Sequence, residues 1–397
     1  MHISKTIFIS YLFFTLSASS QQASKQEMRK LIDKDIKIAA RQYKHLQQLL
    51  PKDRLPRSYD SVKNELITSG SEWWCSGFYP GTLWYLYEYT KDKSLQTEAL
   101  RSTTLLEKEK NNTGTHDLGF MMGCSYGNAN RLAPKPEYKE ILLTSARSLA
   151  TRFNSKVGCI RSWNSKTGDF IVIIDNMMNL ELLFWATKVS GDSSFYKIAV
   201  THANTTLKNH FRSDHSSYHV LNYDEQTGAV KEKKTAQGAA NSSAWARGQA
   251  WGLYGYTATY RETKDLVYLE QAKNIADFIL LNSNLPADGI PYWDFNAPNI
   301  PDALRDASAA AILASALLEL SKYTEKSRAD NYLRLAELIL KTLSGPTYRA
   351  APGTNGGFIL KHCVGHLPAK SEVDVPLTYA DYYFIEALIR YKNWYLK

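Results

Sequence analysis

One carboxylate in this chain sits where its neighbours should strip away its water. In FIVIIDNMMNLELLFWA, residues 170–186, the branched aliphatics Ile171, Val172, Ile173 and Ile174 run directly into Asp175, and no other charge follows until Glu181. Burial disfavours the ionised form of a carboxylic acid and raises its pKa, as a general acid working near neutral pH requires. A structural reading competes. Asp is a favoured helix N-cap, because its side-chain oxygen accepts a bond from a free N–H of the first turn, and a helix over Asn176 to Val189 begun by Asp175 needs no chemistry. On this stretch alone the cap is the simpler reading.

Related residue types recur elsewhere. SEWWCSGFYPGTLWYLYE (71–88) holds Trp73 and Trp74, THDLGFMMGCSYG (115–127) holds His116 and Asp117, and YHVLNYD holds His219. TAQGAANSSAWARGQAW (235–251) adds Gln237, Trp245, Arg247 and Trp251, and PYWDFNAP (291–298) adds Trp293 and Asp294. Singly, each is ordinary: a tryptophan in the core, a satisfied buried histidine, a capping Asp117, an Arg247 that snorkels from a packed face. Jointly they describe a site for a sugar acid. Aromatic rings pack on pyranose faces, a guanidinium pairs with a carboxylate or sulfate in a fork, and carboxylates move protons. Arg247 and Trp251 are four apart and so share one helix face.

Such residues need elements that bring them to one place. Helical periodicity dominates and strand-like alternation is scarce. Apolar-periodic segments fall near 26–50, 77–90, 95–110, 117–130, 137–153, 176–190, 194–210, 242–262, 266–283, 303–323, 328–344 and 377–394. One link recurs between an aromatic-rich segment and an amphipathic one: LYEYTKDKSLQTEAL, WATKVSGDSSFYKIA, YRETKDLVYLEQA and SKYTEKSRADNYLRLA. Short links make antiparallel neighbours, and repeated helical hairpins must stack to bury their faces. The pattern predicts an all-α (α/α)6 barrel of about six hairpins in a single domain, with an open α-solenoid as the alternative. Glycine- and aromatic-rich helices should line the inside, and the loops before them should form the mouth of a cavity. The longest non-helical stretches, 211–241 and 345–376, belong with function.

The 397 residues have 44% hydrophobic and 22% charged content, an ordinary globular composition. Residues 1–20, MHISKTIFISYLFFTLSASS, read as a secretory signal that leaves residues 21–397 as the working domain. No later run is long and apolar enough to span a membrane. The formal charge of +9, or +8 without Lys5 of the signal, suits an anionic partner. The basic residues are scattered, with KEKK at 231–234 the densest run, so nucleic acid has only net charge in its favour. Cys75, Cys124, Cys159 and Cys363 lie too far apart for a zinc pattern, and the nine histidines form no HExxH. Neither a metal site nor a cofactor is expected.

Taken together, WWCSGFYPGTLW, HDLGF, IIDNMMNLELLFWA, SAWARGQAWGLYGY, PYWDFNAPNIPDALRDASAAAI and SEVDVPLTYADYYFIEALIR resemble the unsaturated glucuronyl hydrolases of glycoside hydrolase family 88, over about residues 70 to 390. The resemblance implies an (α/α)6 barrel. It implies removal of a 4,5-unsaturated uronic acid from oligosaccharides released by polysaccharide lyases, by hydration of the double bond. It assigns the acid to Asp175 and a ring-orienting, tuning role to Asp117. Trp74, His116, His219, Gln237, Arg247 and Trp251 fall on substrate-site positions, with His219 and Gln237 resting on spacing alone. The chain departs from the family at LKHCVGHLPAKSEVD. Some members that tolerate sulfated sugars carry a serine- and lysine-bearing strip there, whereas this chain has Lys361, His362, His366, Lys370 and Ser371. Sulfate handling therefore does not carry over residue by residue. The expected partner is an unsaturated acidic oligosaccharide from glycosaminoglycans or ulvan. The protein is expected to act in the periplasm or outside the cell, as a monomer or dimer. Two alternatives stand: an inverting (α/α)6 glycosidase on saturated glycosides, and a non-catalytic carbohydrate-binding protein.

Overall fold

The computed structural model describes residues 6–165 and 168–396, with side chains from residue 25 onward. The expected signal over 1–20 therefore falls outside the described side chains. Twelve α-helices are present among the described residues. Six are outer: α1 (Thr6–Leu49), α3 (Lys93–Thr104), α5 (Pro136–Ala150), α7 (Ser193–Asn209), α9 (Leu266–Leu281) and α11 (Lys326–Leu343). The inner set is α2 (Phe78–Thr90), α4 (Asn128–Leu132), α6 (Leu180–Ser190), α8 (Ala246–Thr263), α10 (Ala307–Leu320) and α12 (Thr378–Tyr395). A π-helix, Gly119–Gly127, runs into α4, and a 3-10 turn, Ile174–Asn179, precedes α6.

The inner elements close a ring. α2 packs on the π-helix, the π-helix on α6, α6 on α8, α8 on α10, α10 on α12, and α12 returns to α2. This is the (α/α)6 barrel, not the open solenoid. Composition explains the sorting. The inner α10, ASAAAILASALLEL, is buried along its whole length, as a helix apolar all round must be. The outer α11, KSRADNYLRLAELILKTL, buries only Tyr332, Ala336, Ile339, Leu340 and Leu343, one amphipathic stripe.

The recurring link is a two-residue device. Lys91, Gly191 and Lys264 adopt left-handed backbone after α2, α6 and α8, and Asp92, Asp192 and Asp265 then accept an N–H of the next helix. A left-handed C′ residue followed by an Asp N-cap ends one helix and starts the next with no spare chain. The fourth link departs from this, since Glu325 caps α11 without a side-chain bond. These inner-to-outer turns leave one end of the barrel tight, so the long connections collect at the other end.

The strands lie in those long connections and outnumber what alternation suggested. β1 (Leu55–Asp60) pairs with β2 (Glu65–Ser69), and β3 (Phe153–Asn154) with β4 (Cys159–Ile160). β5 (Asp169–Ile173), β6 (Val220–Asp224) and β7 (Val230–Lys234) form a three-stranded antiparallel sheet, and β8 (Cys363–His366) pairs with β9 (Ser371–Val375). Each strand is too short for periodicity to reveal. Four cysteines, Cys75, Cys124, Cys159 and Cys363, are free and buried.

Candidate active site

The sheet delivers Asp175. β5 runs antiparallel to β6 with Ile173 opposite Val220, and the Ile174 N–H donates to the His219 carbonyl at 3.0 Å. That register sets the 3-10 turn beside the residue just before β6, and His219 Nε2 lies 3.7 Å from Asp175 Oδ2. His219 Nδ1 accepts the backbone N–H groups of Ala236 and Gln237 at 3.1 and 3.2 Å. Two donors on Nδ1 assign the ring proton to Nε2, facing the carboxyl. Burial, then the charge of Arg247, holds His219 well below the usual histidine range, so the ring is neutral.

Asp175 caps nothing. The turn begins after Ile173 without a side-chain cap, and the α-helix starts only at Leu180. The cap reading is corrected: a 3-10 turn intervenes, and the side chain points into the barrel mouth. Burial pushes the Asp175 carboxyl up to about 7. Arg247, the residue's own backbone N–H and the Trp251 indole pull in the opposite direction, while Asp117 adds to the rise. Desolvation therefore outweighs a nearby cation.

Asp117 enters from the link before the π-helix. Thr115 Oγ1 donates to Asp117 Oδ2 at 3.0 Å and accepts the Asp117 N–H at 3.1 Å. The π-helix N-cap is Leu118, so Asp117 is not a side-chain cap either. His116 Nε2 stands 3.4 Å from Asp117 Oδ1, and burial lowers the His116 pKa against the pull of that carboxylate. Asn179 Oδ1 accepts the Phe120 N–H at 2.9 Å, tying the turn that bears Asp175 to the helix that follows Asp117. The approach requires Gly119, because a Cβ there would sit 2.4 Å from the Asn179 Cα.

Arg247 and Trp251 share the inward face of α8, as their spacing predicted. The Trp251 ring packs between Phe120 at 5.1 Å and Tyr383 at 5.3 Å. Arg247 lies over the Trp245 ring at 4.4 Å and the Tyr379 ring at 5.3 Å. Both its Nη groups are held. Nη1 bonds Asp306 Oδ2 and the Val364 carbonyl, and Nη2 bonds Gln237 Oε1 and the Gly365 carbonyl. The β8 strand, α10 and the 235–245 loop thus fix the guanidinium in place. Gln237 thus serves twice, its N–H on His219 and its side chain on Arg247.

Trp74 is half-buried against Tyr379, Phe120 and Phe78. Trp73 is 39% exposed at the rim under the Arg57 guanidinium. Asp294 is fully buried and clamps the 235–245 loop by accepting the Ala239 N–H and the Ser243 hydroxyl. Trp293 acts there through its backbone carbonyl, which accepts the Ala246 N–H. Lys361 bonds the Pro346 carbonyl and His362 bonds Asp374, so neither is turned toward Asp175. Sequence reasoning missed Trp163, which is 38% exposed and edge-on to His219 at 5.9 Å, and also Asp306 and Asn179. Asp306 left a signal, the D-x-S cap before α10; Trp163 left none. Among the described residues no three His, Cys, Asp or Glu side chains group to hold a metal ion.

The barrel mouth thus combines a carboxyl raised to about 7, a second carboxyl, a neutral imidazole N–H and aromatic walls, an arrangement suited to proton transfer. Comparison with known proteins identifies a family. The profile of Glycosyl Hydrolase Family 88 matches residues 51–279. An unsaturated glucuronyl hydrolase of Formosa agariphila is 49% identical over 348 residues, covering 87% of this chain and 86% of the relative. An unsaturated chondroitin disaccharide hydrolase of Streptococcus pneumoniae is 32% identical over 381 residues, covering 94% of each. The crystal structure of an unsaturated glucuronyl hydrolase specific for heparin superposes with a TM-score of 0.89 at 49% identity, covering 92% of this chain and 97% of the other.

Proposed function

Because the chain belongs to glycoside hydrolase family 88, we propose that it removes the non-reducing-end 4,5-unsaturated uronic acid from glycosaminoglycan fragments by hydrating the C4–C5 double bond. The observation that carries this reading is the buried Asp175 carboxyl, raised to about 7 beside Asp117. Asp175 gives its proton to C4, forming a C–H bond. Water adds at C5 and surrenders a proton to the Asp175 carboxylate, which restores the acid. The C5 hemiketal opens by breaking the C5–O5 bond, leaving a C5 ketone and a hemiacetal at C1 that releases the remaining sugar. One water is consumed. Asp117 orients the ring and raises the proton affinity of Asp175. The His219 Nε2–H, Trp74 and Trp251 frame the sugar, while the Arg247–Gln237 bond ties α8 to the 235–245 loop beside them.

The 49% identity to a structure named as specific for heparin supports heparin fragments ahead of chondroitin, whose named hydrolase shares 32%. The net charge of +9 supports an acidic substrate. Export rests on residues 1–20 alone, and such a substrate places a polysaccharide lyase upstream. Assaying lyase digests of heparin, chondroitin, hyaluronan and ulvan ranks the sources, ulvan being the non-animal alternative.

Heavy water tests the mechanism. Turnover should place deuterium at C4 of the released keto acid as the ultraviolet absorbance of the conjugated acid decays, and a saturated uronoside should stay intact. Displacement at the anomeric carbon gives the reverse pattern, and cleavage of the saturated substrate at a comparable rate would sink hydration. The acid must be protonated in the free enzyme. kcat/KM should therefore fall as pH rises through about 7, a limb that reports the interacting carboxyl pair.

A further inference from the structure

Asp306 caps α10, but its surroundings differ from those of the other capping aspartates. Asp92, Asp192 and Asp265 cap outer helices at the tight end of the barrel. Asp306 is fully buried at the mouth. Its Oδ1 accepts the Ser308 N–H at 2.9 Å, the Ser308 hydroxyl at 2.6 Å and the Val364 N–H at 3.2 Å, and its Oδ2 accepts Arg247 Nη1 at 3.2 Å. One carboxylate thus joins α10, the β8 strand and Arg247, the cation whose charge acts on Asp175.

The other groups around Asp175 leave little else to tune it. His116 comes from the link before the π-helix and His219 from the edge of β6, and burial lowers the pKa of both. Trp251 on α8 offers an uncharged N–H. His366 on β8 faces His219 with a lowered pKa. Tyr379 on α12 lies under the Arg247 guanidinium, and Glu372 on β9 pairs with Arg57. Charge on Asp175 is therefore set by Asp117 on one side and Arg247 on the other, and Asp306 stands directly behind Arg247.

We propose that Asp306 is a positioning residue for the reaction: it anchors Arg247 against the β8 carbonyls and, as its counter-charge, limits how strongly Arg247 favours loss of the Asp175 proton. Arg247 acts on the acid through its field. Asp306 thereby keeps the acid protonated at the pH where it must work. This rests on the reading of Asp175 as general acid.

The test is the pH dependence of kcat/KM on an unsaturated heparin disaccharide. In Asp306→Asn the amide oxygen retains the Ser308 and Val364 bonds and the negative charge is lost. The alkaline limb should then move to lower pH by roughly half a unit or more. In an Arg247→Met background the limb should sit higher than in the wild type, and Asp306→Asn should add no further downward shift. A purely structural cap predicts a lower Tm and a uniformly lower rate with the limb in place, and that result, or an upward shift in the single variant, overturns the proposal. Asp306→Ser, which also caps helices, serves if the asparagine variant does not fold. Absence of turnover by the wild type on every unsaturated disaccharide would instead remove the general-acid reading itself.

Discussion

At the scale of single residues, a raised pKa does not by itself mark a catalyst. Asp175 and Asp381 are both buried carboxyls pushed up to about 7. Asp381 accepts the N–H groups of Ile359 and Leu360, one on each oxygen, and holds the loop before β8 to α12. Asp175 Oδ2 has no such donor and faces a histidine. Substituting Asp175 should therefore spare the fold and remove the chemistry. Its folded pKa exceeds the unfolded value near 4, so the folded state holds an extra proton between pH 4 and 7 and stability is lost as pH rises through that window. Asp175→Asn escapes this loss. It should match the wild type at pH 4 and exceed it at pH 8, by up to about 4 kcal/mol, while activity falls by orders of magnitude. Urea unfolding at the two pH values checks it, and a variant less stable than wild type at pH 8 would mean that the carboxylate is a structural group. The raised acid was legible in the sequence, because four aliphatics precede it. The anchoring of Arg247 was not, because its acceptors Val364 and Gly365 lie 117 and 118 residues away, and no local pattern carries such a partner.

Elements explain how two carboxyls from separate links come to one point. The helices and their short links were readable, since amphipathic period and Asp caps are local properties. The boundaries of α8 and α10 were less so: the sequence segments 242–262 and 303–323 begin four residues ahead of Ala246 and Ala307. The extra residues lie in loops pinned by Asp294 and Asp306, whose bonding is tertiary. The π-helix is a further instance. Its GFMMGCSYG sequence has an ordinary helical pattern, and π-helical turns recur at functional sites. Here the element follows Asp117 directly and is fixed to the Asp175 turn through Gly119 and Asn179. Gly119→Ala should force these two turns apart, because its methyl would meet the Asn179 backbone. Overpacking of this kind costs about 1–3 kcal/mol, so the protein should still fold. kcat should fall at least tenfold, with a smaller change in KM, if relative placement of the carboxyls limits the chemistry. A variant with reduced Tm and unchanged kcat would show that the two turns tolerate the shift.

Across the whole molecule, the closed ring separates chemistry from stability along one axis. Ring closure was foreseeable from the count of hairpins, but which helices face inward rests on the pairwise packing that brings α12 back to α2. At the tight end, Arg261 on α8 bonds Glu319 on α10 at 2.8 and 3.0 Å and also pairs with Glu181 on α6. Arg390 on α12 pairs with Glu319 at 3.1 Å and donates to the Tyr254 hydroxyl at 2.6 Å. Burial would raise the Glu319 carboxyl, but Arg261 and Arg390 hold it below the usual range. This network joins four inner helices around a cavity of about 490 Å³ that contains none of the catalytic candidates. Arg247 and Arg261 are both on α8, and fourteen residues at 1.5 Å each separate them by about 21 Å. Glu319→Ala leaves two buried guanidinium groups short of a partner, a change that costs about 3–5 kcal/mol where one member of a buried pair is removed. Denaturant unfolding should show that loss. The alkaline limb of kcat/KM should stay where it is in the wild type, because Asp175 answers to Asp117 and Arg247 at the mouth. A limb displaced by half a unit or more would mean that the network at the tight end reaches the acid through the barrel, and the separation along the axis would have to be abandoned.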